Sequence, residues 1–246
     1  MGIESFNRRG LIIVVVIATA LVTAAVLAYL TWSKNNETKP VEAYGFVKLP
    51  SPNLEGTMSV EEAIWRRRSV RSYTDEPLSL EDVSQLMWAA QGITDPVRGF
   101  RAAPSAGATY PLEVYLVVGK NGVTGLDEGL YRYDPHEHQL ERILEGDLRS
   151  ALARAALDQS WVREAPVNIV VAAVYERTTS RYGERGVRYV HMEAGHVGQN
   201  LYLQATARRL GMVVVGAFND DDVRSLLRLP YEQKPLYIIP VGHPRS

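Results

Sequence analysis

No stretch of this chain restricts its fold more than residues 167–175, Val-Asn-Ile-Val-Val-Ala-Ala-Val-Tyr, where branched and apolar residues follow one another with a single polar break. A run of that length and branching reads as a strand. One that is apolar on both faces is a central strand and needs a layer of structure over each side. The rest of the sequence supplies such layers. Residues 112–118, 212–218 and 236–241 read as further strands, and 129–133 with 139–144 as a hairpin around Asp134-Pro135. Ser59 with Glu62, and Ser79 with Asp82, have the spacing of capping boxes. The first opens a short helix through Trp65; in the second, Val83, Leu86, Met87 and Ala90 recur at helical spacing. Residues 147–159, 186–210 and 220–229 read as three more helices, the long one ended by Gly211. The pattern predicts an α+β layered sheet, not a regular βαβ array.

The amino terminus follows different rules. Residues 11–30 carry no charge, and only Thr19, Thr23 and Tyr29 bring polar groups. About 20 apolar residues cross a hydrocarbon core of about 30 Å, whereas the apolar part of a signal peptide is usually about 7–15 residues long. The run therefore reads as an uncleaved single-span anchor, with a signal peptide cleaved near Ala28 as the alternative. Arg8 and Arg9 precede it, which puts the tail in the cytoplasm and the main domain outside; Lys34 and Lys39 pull the other way. The expected division is a tail 1–10, a transmembrane anchor 11–31, a Pro- and Gly-containing linker 32–57 and one domain 58–246.

Composition removes several classes of function. With 27 Lys plus Arg against 28 Asp plus Glu, the formal net charge is −1, without the positive excess that nucleic-acid binding demands. The absence of cysteine excludes thiolate nucleophiles, cysteine zinc sites and iron–sulfur clusters. There is no G-x-G-x-x-G, G-x-x-x-x-G-K-[ST] or G-x-S-x-G motif. His191 and His196 point about 140° apart on a helix, which is poor for one ion. His136 and His138 fall in the hairpin turn, where side chains are solvated. No metal site is expected.

Two segments stand out. In Arg66-Arg67-Arg68-Ser69-Val70-Arg71-Ser72-Tyr73, basic forks alternate with hydroxyls just after a short helix, a combination suited to phosphate oxygens. A solvated charge cluster is the alternative. The second, residues 102–111, is a loop of small residues entering the 112–118 strand, able to bring its backbone close to a flat ring, or else an ordinary tight turn.

With Leu86-Met-Trp-Ala-Ala-Gln-Gly92, Glu193-Ala-Gly-His-Val-Gly-Gln-Asn200 and Pro240-Val-Gly-His-Pro244, these segments in this order resemble the nitroreductase family, and within it the SagB-type dehydrogenases. The resemblance runs from about residue 59 to 245. It implies a layered fold with a central mixed sheet flanked by helices, an intertwined homodimer, and bound FMN with NAD(P)H as a candidate electron donor. It places Arg67, Ser69 and Arg71, with Arg68 among them, at the flavin phosphate, ribityl chain and pyrimidine edge. Pro104, Ser105, Ala106, Gly107 and Ala108 would lie at the isoalloxazine, reaching it from the other subunit. Val215 and Gly216 would bring backbone to the reactive edge of the ring, and Arg245 would stand near the phosphate.

The activity implied is hydride or electron-pair transfer through the flavin to a small-molecule or peptide substrate, in ping-pong order. Azoline-oxidising SagB enzymes use a Lys-Tyr pair before the long helix for proton transfer; here that place is held by Arg181-Tyr182. Arginine stays charged and is a poor base, which leaves Tyr182 as the catalytic candidate, with a plain surface aromatic as the alternative. Peptide tailoring, a separate membrane-anchored redox role, and a non-catalytic flavin- or partner-binding module thus stay open. On the long helix, Val190, Ala194, Val197, Leu201 and Ala205 form more apolar surface than one sheet face needs, which points to burial between subunits.

Overall fold

Side chains on a strand alternate between its two faces, so residues 167–174 hold two helical layers apart. In the computed structural model, which describes residues 22–24, 26, 27 and 45–245, Ile169, Val171 and Ala173 belong to one apolar core and Val170 and Ala172 to another. The chain divides into units 1–42 and 43–246. In the first, residues 22–24, 26 and 27 are helical; the rest of the expected anchor lies outside the described residues. Among the described residues no helix is long and apolar enough to cross a membrane.

The second unit runs β1 (Phe46–Lys48), α1 (Val60–Arg66), α2 (Leu80–Gln91), a small hairpin of β2 (Ile93–Asp95) and β3 (Phe100–Arg101), a 3₁₀ turn (Ala106–Ala108), β4 (Leu112–Val118), β5 (Gly129–Asp134) and β6 (Gln139–Glu145). It continues through α3 (Arg149–Ala155), α4 (Ser160–Glu164), β7 (Val167–Val174), α5 (Glu176–Tyr182), α6 (Arg185–Ala207), β8 (Gly211–Met212), α7 (Asp220–Leu226) and β9 (Gln233–Gly242). Seven strands form one sheet in the order β1-β6-β5-β4-β7-β9-β8. One face is covered by α2 and α6, the other by α3, α4 and α7. Ser79 closes a full capping box with Asp82 at the head of α2, whereas Ser59 caps α1 through the Glu62 amide alone.

Several expectations change. Every ladder of the large sheet is antiparallel, so the sheet is not mixed. Residue patterning decides which face a strand buries, not the direction of its neighbour. The 32–57 linker loses its second half to the fold, because Phe46–Lys48 pairs with β6 and Asn53 exchanges hydrogen bonds with Gln85. Leu157 and Asp158 adopt left-handed backbone (φ 58° and 57°) and split the 147–159 helix into α3 and α4. The 212–218 strand shrinks to Met212, because the Val214 amide turns to the Tyr202 hydroxyl and only Val215 returns to pair with Ile238. His138 is not solvated: it is half-buried, its Nδ1 accepts from Tyr133, and its Nε2 reaches the Pro50 carbonyl. Val190, Ala194, Val197, Leu201 and Ala205 are at most 2% exposed within the single chain, so this stripe packs on its own sheet and is not the subunit contact.

Candidate functional site

Helix α6 carries two clusters of polar side chains at different levels. Near its carboxyl end, Tyr202 receives the extended segment that follows α1. Ser69 forms a bridge with Met212, and the Val70 amide donates to the Met212 carbonyl at 2.9 Å. On an extended chain alternate residues share a side. Accordingly Ser69 Oγ lies 3.0 Å from the Tyr202 hydroxyl, and the Arg67 guanidinium stacks 5.0 Å from the centre of that ring. Arg71 stacks 5.5 Å from the ring of Trp161 on α4. Gln159, just before α4, donates to the Ala217 carbonyl at 2.8 Å, so the same short element steadies the 215–217 segment. Val215 is buried; Gly216 is exposed, with nothing within 4 Å of where a Cβ would stand. Arg245 is drawn to the same segment, both Nε and Nη2 donating to the Tyr73 carbonyl at 3.1 and 2.8 Å.

Arg68 is not brought in. Its Nη1 donates to the Trp65 and Arg67 carbonyls, and it borders a separate hollow with Arg66, Val70 and Arg209. Some arginines are matched, among them Arg66 with Glu62, Arg177 with Glu113 and Arg208 with Asp82. Among the described residues, Arg67, Arg71 and Arg245 have no carboxylate within 4 Å. Guanidinium groups of this kind, with a serine hydroxyl on the same segment, could hold a multiply charged anion.

The second cluster is built on residues 104–108. Gly107 has φ +61°, its carbonyl accepts from Arg181 Nη1 at 3.0 Å, and a Cβ there would come within 2.4 Å of the Tyr182 hydroxyl. Glycine is thus demanded both by the left-handed backbone and by the ring lying against it. Ala108 follows at φ 53°. The Tyr182 ring meets Tyr189 edge-on at 5.2 Å. Ser105 Oγ accepts from the Tyr110 amide at 2.9 Å, and the Pro104 carbonyl lies 3.4 Å from His196 Nδ1. Pro104, Ser105 and Ala106 border an open hollow of about 270 Å³ with Tyr189, Met192, Glu193 and His196. Glu193 is only 2% exposed, and burial pushes its carboxyl up to about 7. Hydrogen-bond donors on Ser105 and Gln91 and the charge of Arg101 pull against that rise. Even so, Glu193 Oε1 and Gln91 Nε2 both lack a partner in hydrogen-bonding geometry.

Sequence reading passed over Tyr202, Trp161 and the chemistry of Glu193. The last was discoverable: an acid three residues after Val190 and four before Val197 lies on the buried face of the helix. The first two act through contacts between distant segments and leave no local signal. His191 Nε2 lies 2.5 Å from the Tyr175 hydroxyl, whereas His196 faces the Pro104 carbonyl. Among the described residues no group of three or more His, Cys, Asp or Glu side chains could hold a metal.

A protein of Methanocaldococcus jannaschii named as a nitroreductase is 47% identical over 196 residues, covering 80% of this chain and 96% of that one. A crystal structure from Ralstonia eutropha, also named as a nitroreductase, superposes with a TM-score of 0.70 at 30% identity, covering 84% of this chain and 95% of that one. The microcin B17-processing protein McbC of Escherichia coli is 27% identical over 155 residues, 62% of this chain and 57% of that one. Residues 64–243, from the end of α1 to the close of β9, match the nitroreductase family as a whole, and the chain belongs to it.

Proposed function

We propose that the chain is an FMN-dependent oxidoreductase working as a homodimer. The observation that carries this reading is a set of guanidinium groups without a carboxylate partner, Arg67 and Arg71 on the extended segment that bears Ser69 and Arg245 bonded to the Tyr73 carbonyl of that segment, together with the open backbone of Gly216. These residues fit the cofactor. Arg67, Arg71 and Arg245 would hold the phosphate oxygens, Ser69 would bond the sugar-alcohol chain, and Gly216, lacking a Cβ, lets a flat ring approach. When bound, the flavin supplies the two-electron chemistry. The chain supplies binding, orientation and proton handling, with the Tyr182 hydroxyl held beside Gly107 as one proton-bearing group. Nine residues of α6 separate Glu193 from Tyr202, roughly 13 Å along the axis. A second copy offering its 104–108 loop to the first copy's arginines would close one site from two half-sites.

The test is direct. Purified protein should be yellow, and NADH or NADPH should bleach it. A yellow protein that no donor bleaches would instead be a non-catalytic flavin-binding module. Arg71→Ala should weaken flavin binding by roughly 1.5–3 kcal/mol, the worth of a charge-assisted hydrogen bond. An unchanged affinity in that variant contradicts the assignment.

A second reading is peptide tailoring, oxidation of azoline rings to azoles. The relationship to the microcin-processing protein favours it, together with the packing of Arg181 and Tyr182 on Gly107. Incubation with an azoline-bearing peptide should remove two hydrogens by mass spectrometry if it holds. For location, the uncharged run 11–30 behind Arg8 and Arg9 supports a single-pass anchor with the enzyme outside the cytoplasm. Added protease should then cut the domain on intact cells; protection until the membrane is breached would reverse the orientation.

A further inference from the structure

Glu193 plays no part in the reading above, yet its surroundings are costly for an acid. It lies on the sheet-facing side of α6, 2% exposed, with Oε1 unpartnered. Gln91 approaches from α2, Arg101 from β3 and Ser105 from the 104–108 loop. Tyr189 and His196 flank it on its own helix. Behind Arg101 stand the Tyr110 ring and the Arg177–Glu113 ion pair. Glu193 also lines the hollow of about 270 Å³, with Pro104, Ala106, Tyr189 and Met192. A buried polar atom without a partner is expensive, and an acid whose residue lines a cavity is placed to reach a guest there.

We propose that this hollow seats a ring-sized, weakly polar substrate and that Glu193 exchanges a proton with it. The inference rests on the oxidoreductase reading and adds the acid–base residue and the substrate class to it. Reduction of an acceptor consumes one hydride and one proton. The hydride comes from the reduced flavin and forms one new bond to hydrogen. The O–H bond of Glu193 breaks as the second forms, leaving a carboxylate. Water returns the proton through the open mouth of the hollow, where the exposed His196 stands. In oxidation the carboxylate takes the proton while the hydride leaves for the oxidised flavin. The raised carboxyl, near 7, keeps both protonation states populated at neutral pH, the condition an acid–base group needs to work in both directions.

The experiment uses the full flavin-loaded chain and its Glu193→Gln and Glu193→Asp variants. Infrared difference spectra across pH should show a carboxylic C=O band that titrates near neutrality and is absent from Glu193→Gln. After reduction with NADH, reoxidation by benzoquinone should slow roughly a hundredfold in Glu193→Gln and lose its near-neutral inflection, while flavin uptake stays intact. Glu193→Asp should restore the inflection, which a merely structural role would not require. Flavin-loaded Glu193→Gln with unchanged reoxidation and pH profile overturns this proposal alone, as does a carboxyl that ionises in the ordinary acid range. A wild-type chain that takes up no flavin sinks the oxidoreductase reading and this proposal together.

Discussion

Glu193 shows how one residue can set chemistry and stability against each other. Its carboxyl ordinarily ionises near 4.5 and in the fold near 7, so the folded chain binds its proton more tightly than the unfolded chain does. The side chain therefore does no harm below about 4.5, and stability falls as pH rises through 7, by an amount on the order of 3 kcal/mol. Thermal unfolding of Glu193→Gln and wild type at pH 5 and pH 8 checks the sign. The variant should gain on the wild type as pH rises, and a gap that ignores pH would contradict the burial argument. At this scale the sequence was only partly legible. Arg67, Ser69 and Arg71 stood out because alternation on an extended segment is a local pattern, and the same alternation explains why Arg68 points elsewhere. Tyr202 and Trp161 matter only because remote segments fold onto them.

Among the elements, β4, β7 and the β5–β6 hairpin follow from the sequence almost residue for residue, because burial on a strand repeats every second position. Where a backbone hydrogen bond goes to a side chain instead of to a ladder, periodicity misleads, as in 212–218; nor does periodicity reveal the left-handed Leu157 and Asp158 that split 147–159. β1 was hidden for another reason: residues 45–57 lack any apolar period, and Pro50 and Asn53 just after it are held by polar contacts to Gln85, Ser84 and His138. Helix α2, by contrast, announces itself through its capping box, Ser79 donating to Asp82 Oδ2 at 2.7 Å while accepting from the Asp82 amide at 3.0 Å. Ser79→Ala should lower stability by about 1 kcal/mol, read as a drop in melting temperature without loss of flavin. A loss of flavin alongside would mean that α2 reaches the cofactor in a way its position does not suggest.

For the whole molecule, the antiparallel sheet between two helical layers could be foreseen as layers but not as directions, since strand polarity depends on connections that no local pattern encodes. The expected dimer now rests on other surfaces than the α6 stripe. Val60, Ile64 and Trp65 on α1 are 55–73% exposed, and α6 turns Val187 and Met192 outward. The proposed dimer would cover these side chains, as exposed apolar patches commonly meet a partner. Sedimentation of the flavin-loaded protein should give a dimer carrying two flavins; a monomer that keeps one flavin per chain would contradict the shared site. One oxygen atom has a consequence beyond its own contacts. The Tyr202 hydroxyl meets both Ser69 and the Val214 amide, so the segment bearing the arginines and the segment leading to Gly216 are gauged from a single point on a rigid rod. For the flavin proposed above, the grip on one end would also set the distance to the other, a ruler whose zero mark is a phenol.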